Sequence, residues 1–421
     1  VISRMGFIGA TSLDHEGLRM NTRTRTTLLA TALVLGLSVA PAVAVPSPSP
    51  AGATAHRADT GLDTAALRAA ITGAGKPGAD ATAALVRVGG SEGSWRDSAG
   101  VHDLVSDAPA DPNGRFRAGS VTKVFTAAMV LQLAGEGRVA LDRPVRGYLP
   151  DLIPAAYAGV TVRQLLNHTS GIPSDDSPDD SLEYLYAHRF EASDPADVVR
   201  AATARKPDFA PGTAQHYDNI GYTVAGLLLE RITHDSYAHQ LAARIVRPLR
   251  LTDTYVPGAD PALRGPHNHG YQVFPAPDGS TELRDVTVWG AGDTFAAGNL
   301  ISTTADLERF TDALFTGRLV HGAQLKEMFT LPDPAVRNRE TGKPAAYSAG
   351  LSMKRLGGRN VWGKTGGRWG YNTVIAGVLS PTGTLARTLV YSVNSTDAKG
   401  ADMNPTAMKI MLATFGAPDP S

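Results

Sequence analysis

The stretches of this chain with strand character lie toward its two ends, with a long helical stretch between them, so a sheet has to be assembled from both ends. Leu62, Ala66, Leu67 and Ala70 recur at helical spacing, and Gly73 and Gly75 close that helix. Two strand-like runs follow, Thr82–Val88 and Ser94–Val101, with Gly89, Gly90 and Gly93 between them as a hairpin signal. From Ser120 to about residue 250 the pattern is mostly helical. Strands return at Gly350–Arg355, Asn360–Trp362, Thr373–Leu379 and Leu385–Val393, the last two flanking the tight turn Ser380-Pro-Thr-Gly383. Pro405 to Phe415 reads as a closing helix. This order predicts an α+β fold: an antiparallel sheet flanked by N- and C-terminal helices, with an inserted helical lobe beside it. At 421 residues the chain can bury a sizeable core, and it has no internal repeat.

The N-terminal 44 residues read as an export leader. Arg23 and Arg25 form a basic region, Leu28 to Val39 an apolar run, and Ala42-Val43-Ala44 a small-residue cleavage site. The alternative is an uncleaved anchor, but a bilayer span needs roughly 20 apolar residues. Residues 1–19 have no leader pattern, so translation is expected to begin at Met20. Residues 45–60 read as a Pro/Ala-rich linker, 61–416 as the folded domain and 417–421 as a tail. The expectation is a secreted monomer with no stable membrane anchor after cleavage. Forty basic residues balance forty acidic ones, which gives no reason to expect nucleic acid as a partner. Cysteine is absent, which excludes disulfides, thiol catalysis, thiolate metal sites and a lipidated-cysteine anchor.

Three short motifs carry the chemistry: Ser120-Val-Thr-Lys123, Tyr217-Asp-Asn219 and Lys364-Thr-Gly366. Ser120 opens a helical run, where free backbone N–H groups and the positive end of the dipole favour a developing oxyanion. Of nine lysines only Lys123 follows a serine by three, the spacing that puts both on one side of a helix. Serine needs a base to take its proton. A lysine serves only if burial or a second cation lowers its pKa. Tyr217, between two ammonium groups, can ionise and shuttle protons, and the Asn219 amide can hold a substrate amide. Lys364 brings charge, Thr365 a hydroxyl for a carboxylate, and Gly366 room for a substrate backbone, on an edge strand beside a cleft. Taken singly, each has a plain structural reading: an N-cap serine, a packed tyrosine with a turn asparagine, a solvated strand lysine.

Together, in this order, they match the serine-x-x-lysine plus lysine-threonine-glycine pattern of penicillin-recognising serine enzymes. The chain resembles the class C β-lactamase and serine D-alanyl-D-alanine carboxypeptidase group, most of all secreted actinomycete-type carboxypeptidases, over roughly residues 61–416. The resemblance extends to Gly119-Ser-Val-Thr-Lys123, to Val160-Thr-Val-Arg-Gln-Leu-Leu-Asn-His-Thr-Ser-Gly171, to Leu251-Thr-Asp-Thr254 and to Gly298-Asn-Leu-Ile-Ser-Thr-Thr-Ala-Asp-Leu307. It implies a β-lactamase/transpeptidase-like fold and a Ser120 acyl-enzyme, with Lys123 deprotonating the serine. Tyr217 would serve the leaving group and then the deacylating water, while Asn219 and Lys364 orient the substrate. The N–H groups of Ser120 and Gly367 would form an oxyanion hole, and Trp289 an aromatic rim. The implied substrate is a peptidoglycan-type peptide or a β-lactam, with no cofactor.

Two departures bear on substrate. Carboxypeptidases of this kind often carry histidine where Lys364 stands, and they hold the terminal carboxylate with an arginine on the preceding strand. Ser352 falls at that place, with Lys354, Arg355 and Arg368 as candidate replacements. A class C-like β-lactamase, an esterase or another amide hydrolase on the same machinery is the alternative. No counterpart of the class A deacylating glutamate is found. A binding module with a decayed site is disfavoured by the intact serine, lysines and tyrosine. His168 reads as a structural element at a helix end. His267 and His269 have metal-like spacing without a third ligand in view, so they too read as structural, and no metal is expected. Asp175-Asp176 and Asp179-Asp180 read as a solvated loop, and Thr303 to Asp306 as a capping box.

Overall fold

The structure, a computed structural model, describes residues 61–174, 181–276, 278–290, 294–400 and 402–419. The expected leader, the linker and the acidic pairs at 175–176 and 179–180 lie outside the described residues. Helix α1 (Thr64–Ile71) starts where the Asp63 carboxylate accepts from the Ala66 N–H at 2.8 Å, and it buries Leu67, Ala70 and Ile71. Strands β1 (Ala81–Gly89) and β2 (Trp95–Gly100) form the expected hairpin, with Gly90 and Gly93 at the positive φ values it needs. The C-terminal strands are β3 (Ser352–Leu356), β4 (Arg359–Arg368), β5 (Tyr371–Leu379) and β6 (Leu385–Ser395). They join the hairpin in one sheet of order β2-β1-β6-β5-β4-β3, antiparallel throughout.

Side chains alternate across β5, and that alternation separates two cores. Val374, Ala376 and Val378 face α1 and the closing helix α5 (Pro405–Phe415), where they meet Leu67, Ile71, Ile410 and Phe415. Ile375 faces the other way, into the helical lobe. That lobe is centred on α2 (Thr122–Gly135), α3 (Ile220–Thr233) and α4 (Thr304–Phe315). Helix α2 is buried on almost every side from Thr122 to Leu131, as a helix apolar all round must be. The α+β fold expected from the sequence is the one formed.

Several details differ from expectation. Strand β4 runs well beyond Trp362, to Arg368; Lys364, Gly366 and Gly367 carry no apolar signature, yet they pair with Ile375, Thr373 and Asn372. It is also an edge only in its second half, because the register with β3 ends at Gly363↔Ser352. A further hairpin, Tyr271–Pro275 with Thr281–Asp285, stands outside the main sheet. The tail is part of the fold: Pro418 bridges Leu356, and Asp419 pairs with Arg355 at 2.8 Å. Thr303 caps α4 as expected, accepting from Asp306 N. The buried Asp306 carboxylate does not return the bond; it accepts from Asp253 N and the Thr254 hydroxyl. Among the described residues no helix is long and apolar enough to cross a membrane.

The lobe is locked by Phe125 of α2 stacked on Phe310 of α4, ring centroids 3.6 Å apart and both rings fully buried. Phe310→Ala is expected to destabilise the protein by about 3–5 kcal/mol, read by urea unfolding. A loss near zero would mean that the two helices are held by something other than this contact.

Candidate active site

The site forms where the start of α2 meets the free edge of β4. Gly119 takes a left-handed φ of 52°, which turns the chain from the short strand Phe116–Arg117 into the helix. No side chain fits there, since a Cβ would come 2.8 Å from Gly367 N. Gly366 is equally constrained: a Cβ would sit 2.0 Å from the Ala118 carbonyl oxygen. Thr373 of β5 donates to that same oxygen at 2.8 Å and fastens the turn to the sheet. The Gly367 N–H is thereby held beside Gly119, and Ser120 follows at the helix start, 8% exposed.

Lys123 is wholly buried, and its Nζ lies 2.7 Å from Asn219 Oδ1, 2.9 Å from the Ala297 carbonyl and 3.4 Å from Ser120 Oγ. Burial first, then the nearby Lys364, pushes its pKa well below the usual lysine value, against the opposing pull of Asp218. The contacts fit the neutral amine. Asn219 Oδ1 and the carbonyl are acceptors only, so each takes an N–H, and an amine that has lost its third proton would have its lone pair for the Ser120 hydroxyl.

Tyr217 stands between the lysines, its ring centroid 5.1 Å from Lys123 Nζ and 4.7 Å from Lys364 Nζ. The expectation that this position makes the phenol ionise easily is corrected. Burial raises its pKa above the usual value, and the nearby Ser120 hydroxyl only moderates the effect. The buried phenol oxygen has no hydrogen bond of normal geometry in the described structure. Lys364 is also buried, donates to the Thr365 carbonyl at 2.8 Å, and has its pKa lowered to about 7 by desolvation. Thr365 lies half-buried on the free edge.

His168, at the helix end as expected, takes φ 62° and is buried against Tyr217, with ring centroids 4.6 Å apart. Its Nδ1 accepts from the Asp218 N–H at 3.3 Å, and burial keeps the imidazole neutral by lowering its pKa. Asp218, also buried, accepts from Gly221 N at 2.7 Å. The residue therefore fixes the Tyr217 loop, a role wider than ending a helix.

The expected rim and the carboxylate anchors are placed differently. Trp289 is 3% exposed and stacks on Trp369 in a small buried cluster with Phe274 and Val286, so it forms no open rim. Ser352 closes onto the Gly363 carbonyl at 3.1 Å. Arg355 is held by Asp419, and Lys354 pairs opposite Val361, short of the free edge. Arg368 is buried and donates to the Gly290 carbonyl. Sequence reasoning missed Lys399, whose Nζ donates to the Gly367 carbonyl at 3.1 Å and adds to the field that lowers the Lys123 pKa. No motif marks it.

A helix-borne serine facing a buried lysine, a tyrosine and a lysine-threonine-glycine edge defines the class of penicillin-recognising serine hydrolases. The family described as Beta-lactamase matches residues 62–410, and the chain belongs to that family. The D-stereospecific amidohydrolase from Streptomyces sp. is similar at 30% identity and TM-score 0.69, covering 84% of this chain and 98% of that one. The D-amino acid amidase from Ochrobactrum anthropi SV3 shares the fold at 23% identity and TM-score 0.66, covering 83% of this chain and 98% of that one. Penicillin-binding protein 4* of Bacillus subtilis (strain 168) is 25% identical over 71% of this chain and 65% of its own length. Protein flp of Staphylococcus aureus (strain COL) is 30% identical over 50% of this chain and 41% of its own length. The matches thus span less than two thirds of these curated relatives.

Folding takes Lys123 from an ordinary lysine, near 10.5, to a depressed pKa. Between those two values the unfolded chain binds more protons, so this residue makes stability rise with pH and fall as pH drops. Lys123→Met removes the titration. Its stability relative to the wild type is expected to be greatest near pH 7 and to decline toward about pH 10, measured by urea unfolding across that range. A flat difference would mean that the ammonium stays charged in the fold.

Proposed function

We propose that the protein is an exported serine hydrolase that cleaves amide bonds of D-configured donors through a Ser120 acyl-enzyme, with D-alanyl-D-alanine carboxypeptidase activity on peptidoglycan stem peptides as the first reading. The observation that carries this is the buried Lys123 amine, whose Nζ lies 2.7 Å from Asn219 Oδ1, 2.9 Å from the Ala297 carbonyl oxygen and 3.4 Å from Ser120 Oγ. In the proposed acylation Lys123 takes the Ser120 proton as Oγ attacks the carbonyl carbon. The N–H groups of Ser120 and Gly367 receive the oxyanion. The neutral Tyr217 phenol gives its proton to the leaving nitrogen and regains one from the Lys123 ammonium. Water then replaces the amine and the steps run in reverse, releasing the acid and restoring Ser120 and Lys123. Asn219 and Lys364 would bind the donor, the Asn219 oxygen being already engaged by Lys123 and its N–H₂ left for a donor carbonyl.

A second reading, hydrolysis of D-amino-acid amides, is favoured by two observations. The similarity to a D-stereospecific amidohydrolase runs over almost its whole length. In addition, Ser352, Lys354 and Arg355 are not placed to anchor a free terminal carboxylate. Intact mass during incubation with benzylpenicillin, together with D-alanine release from a D-alanyl-D-alanine peptide and ammonia release from a D-amino-acid amide, separates the readings. Peptide turnover with a lasting penicillin adduct supports the carboxypeptidase; amide turnover alone supports the amidase. Penicillin consumed without an adduct marks a β-lactamase. Ser120→Ala is expected to abolish every one of these activities, and retained turnover sinks the mechanism.

Lys364, with a pKa of about 7, is charged below neutrality and neutral above it. For a donor with a free carboxylate, KM is expected to rise as pH increases through about 7, while KM for an uncharged amide stays level. Parallel pH profiles for the two donors would remove Lys364 from carboxylate recognition.

A further inference from the structure

The proposed oxyanion donor, the Gly367 N–H, belongs to a Gly366-Gly367 pair, whose backbone has no side chain to hold its orientation. A Cβ on Gly119 would come 2.8 Å from Gly367 N and 2.9 Å from its carbonyl oxygen, so both groups face the start of α2. In an extended strand the N–H and C=O of one residue lie on the same side. Whatever grips this carbonyl therefore also orients the N–H. Lys399 grips it, donating from Nζ to the Gly367 oxygen at 3.1 Å. Two residues back on the same strand, Lys364 does the same for the Thr365 carbonyl at 2.8 Å.

Lys399 is itself presented by a fastened turn. The chain leaving β6 is tied to the outer hairpin, where the Val273 N–H donates to the Thr396 carbonyl at 2.7 Å. The buried Gln272 side chain holds the next two residues: Nε2 donates to Asp397 Oδ1 at 3.0 Å, and Oε1 accepts from the Ala398 N–H at 3.2 Å. From the sheet, Asn372 of β5 donates its side-chain N–H to the Ala398 carbonyl at 3.1 Å. The half-buried lysine then crosses toward β4, with its Nζ 5.7 Å from the ring centroid of Trp369.

We propose that Lys399 is a positioning residue of the reaction: it fixes the Gly367 N–H toward the oxyanion through the Gly367 carbonyl and places a positive charge beside it. The inference rests on the Ser120 acyl-enzyme read above. Donors held in place before charge develops are worth far more than donors that must turn to meet it. The same charge reaches Lys123, where it adds to burial and to Lys364 in lowering the pKa. The other groups facing that amine are Asp218, which opposes the shift, the rings of Tyr217 and Tyr222 at 5.1 and 5.6 Å, and His168. A change at position 399 leaves all of them in place.

The test is kcat/KM for p-nitrophenyl acetate across pH, with Ser120→Ala as the background. In this acylation the Ser120 oxygen bonds the acetyl carbon, its proton passes to Lys123, and p-nitrophenolate leaves without needing a proton from Tyr217. Lys399→Met is expected to lower kcat/KM about 10-fold, less than the roughly 100- to 1000-fold cost of losing an oxyanion donor outright. It is also expected to move the acid limb of the profile upward by roughly 0.5 pH unit or more, because the Lys123 base loses a neighbouring cation. Lys399→Arg, which keeps the charge and the donors, is expected to restore the limb and most of the rate. Lys399→Gln repeats the test should the methionine variant not fold. A Ser120-dependent rate that these variants leave unchanged, or lower without moving the limb, overturns the inference alone. Wild-type turnover that Ser120→Ala does not remove, or no wild-type turnover, overturns the Ser120 reading and this inference with it.

Discussion

The burial of one amine organises the molecule. Lys123 sits in the centre of the helical lobe with no exposed surface, and an unpaired polar group there would cost about 1–3 kcal/mol. Its acceptors come from two distant segments, Asn219 at the start of α3 and the Ala297 carbonyl, with the Ser120 hydroxyl nearby. Satisfying the amine therefore fixes the relative position of three pieces of the lobe. Thr126, one turn further along α2, repeats the device by donating to the Ala296 carbonyl. The glycines at 119 and 366 then bring this arrangement against the sheet at a distance no side chain permits.

The protonation states follow from the same burial. Two lysines and a tyrosine share a pocket that disfavours charge, so both amines give up their protons more readily than usual and the phenol keeps its own. An amine that gives up its proton readily and a phenol that keeps its own then stand near the Ser120 hydroxyl, as a reaction that moves one proton in and one out requires. Asp218 opposes this trend at Lys123, where it favours the charged amine, and reinforces it at Tyr217, where it disfavours the phenolate.

Much of this was legible in the sequence. Strand-forming runs between turn signals located most of the sheet strands, and helical spacing the N-terminal helix, because these signals are local in sequence. The three motifs named the side chains that meet at the site. What stayed hidden has a common cause: it depends on partners distant in sequence or on backbone atoms. The Ala297 carbonyl has no residue signature. Lys399 is an isolated lysine until the fold brings it to Gly367. Arg355 looks available from its position beside Ser352, yet Asp419 takes it. Trp289 reads as a rim aromatic only until Trp369 covers it. Strand β4 extends beyond its apolar signature because Gly363 to Gly367 have no apolar alternation to display.

The order of the strands has a kinetic meaning. The hairpin β1–β2 is the first part of the sheet to be synthesised, but its neighbour β6 is the last, and the Thr82 hydroxyl reaches the Asn394 carbonyl across 312 residues. A lone two-stranded hairpin is marginal in water, so β1 waits for nearly the whole domain before it gains lasting support. Contacts of such high sequence separation slow folding, since the loop must close before the strands reward it. The sheet therefore cannot grow outward from its N-terminal end during synthesis. It closes late, once β6 has been made.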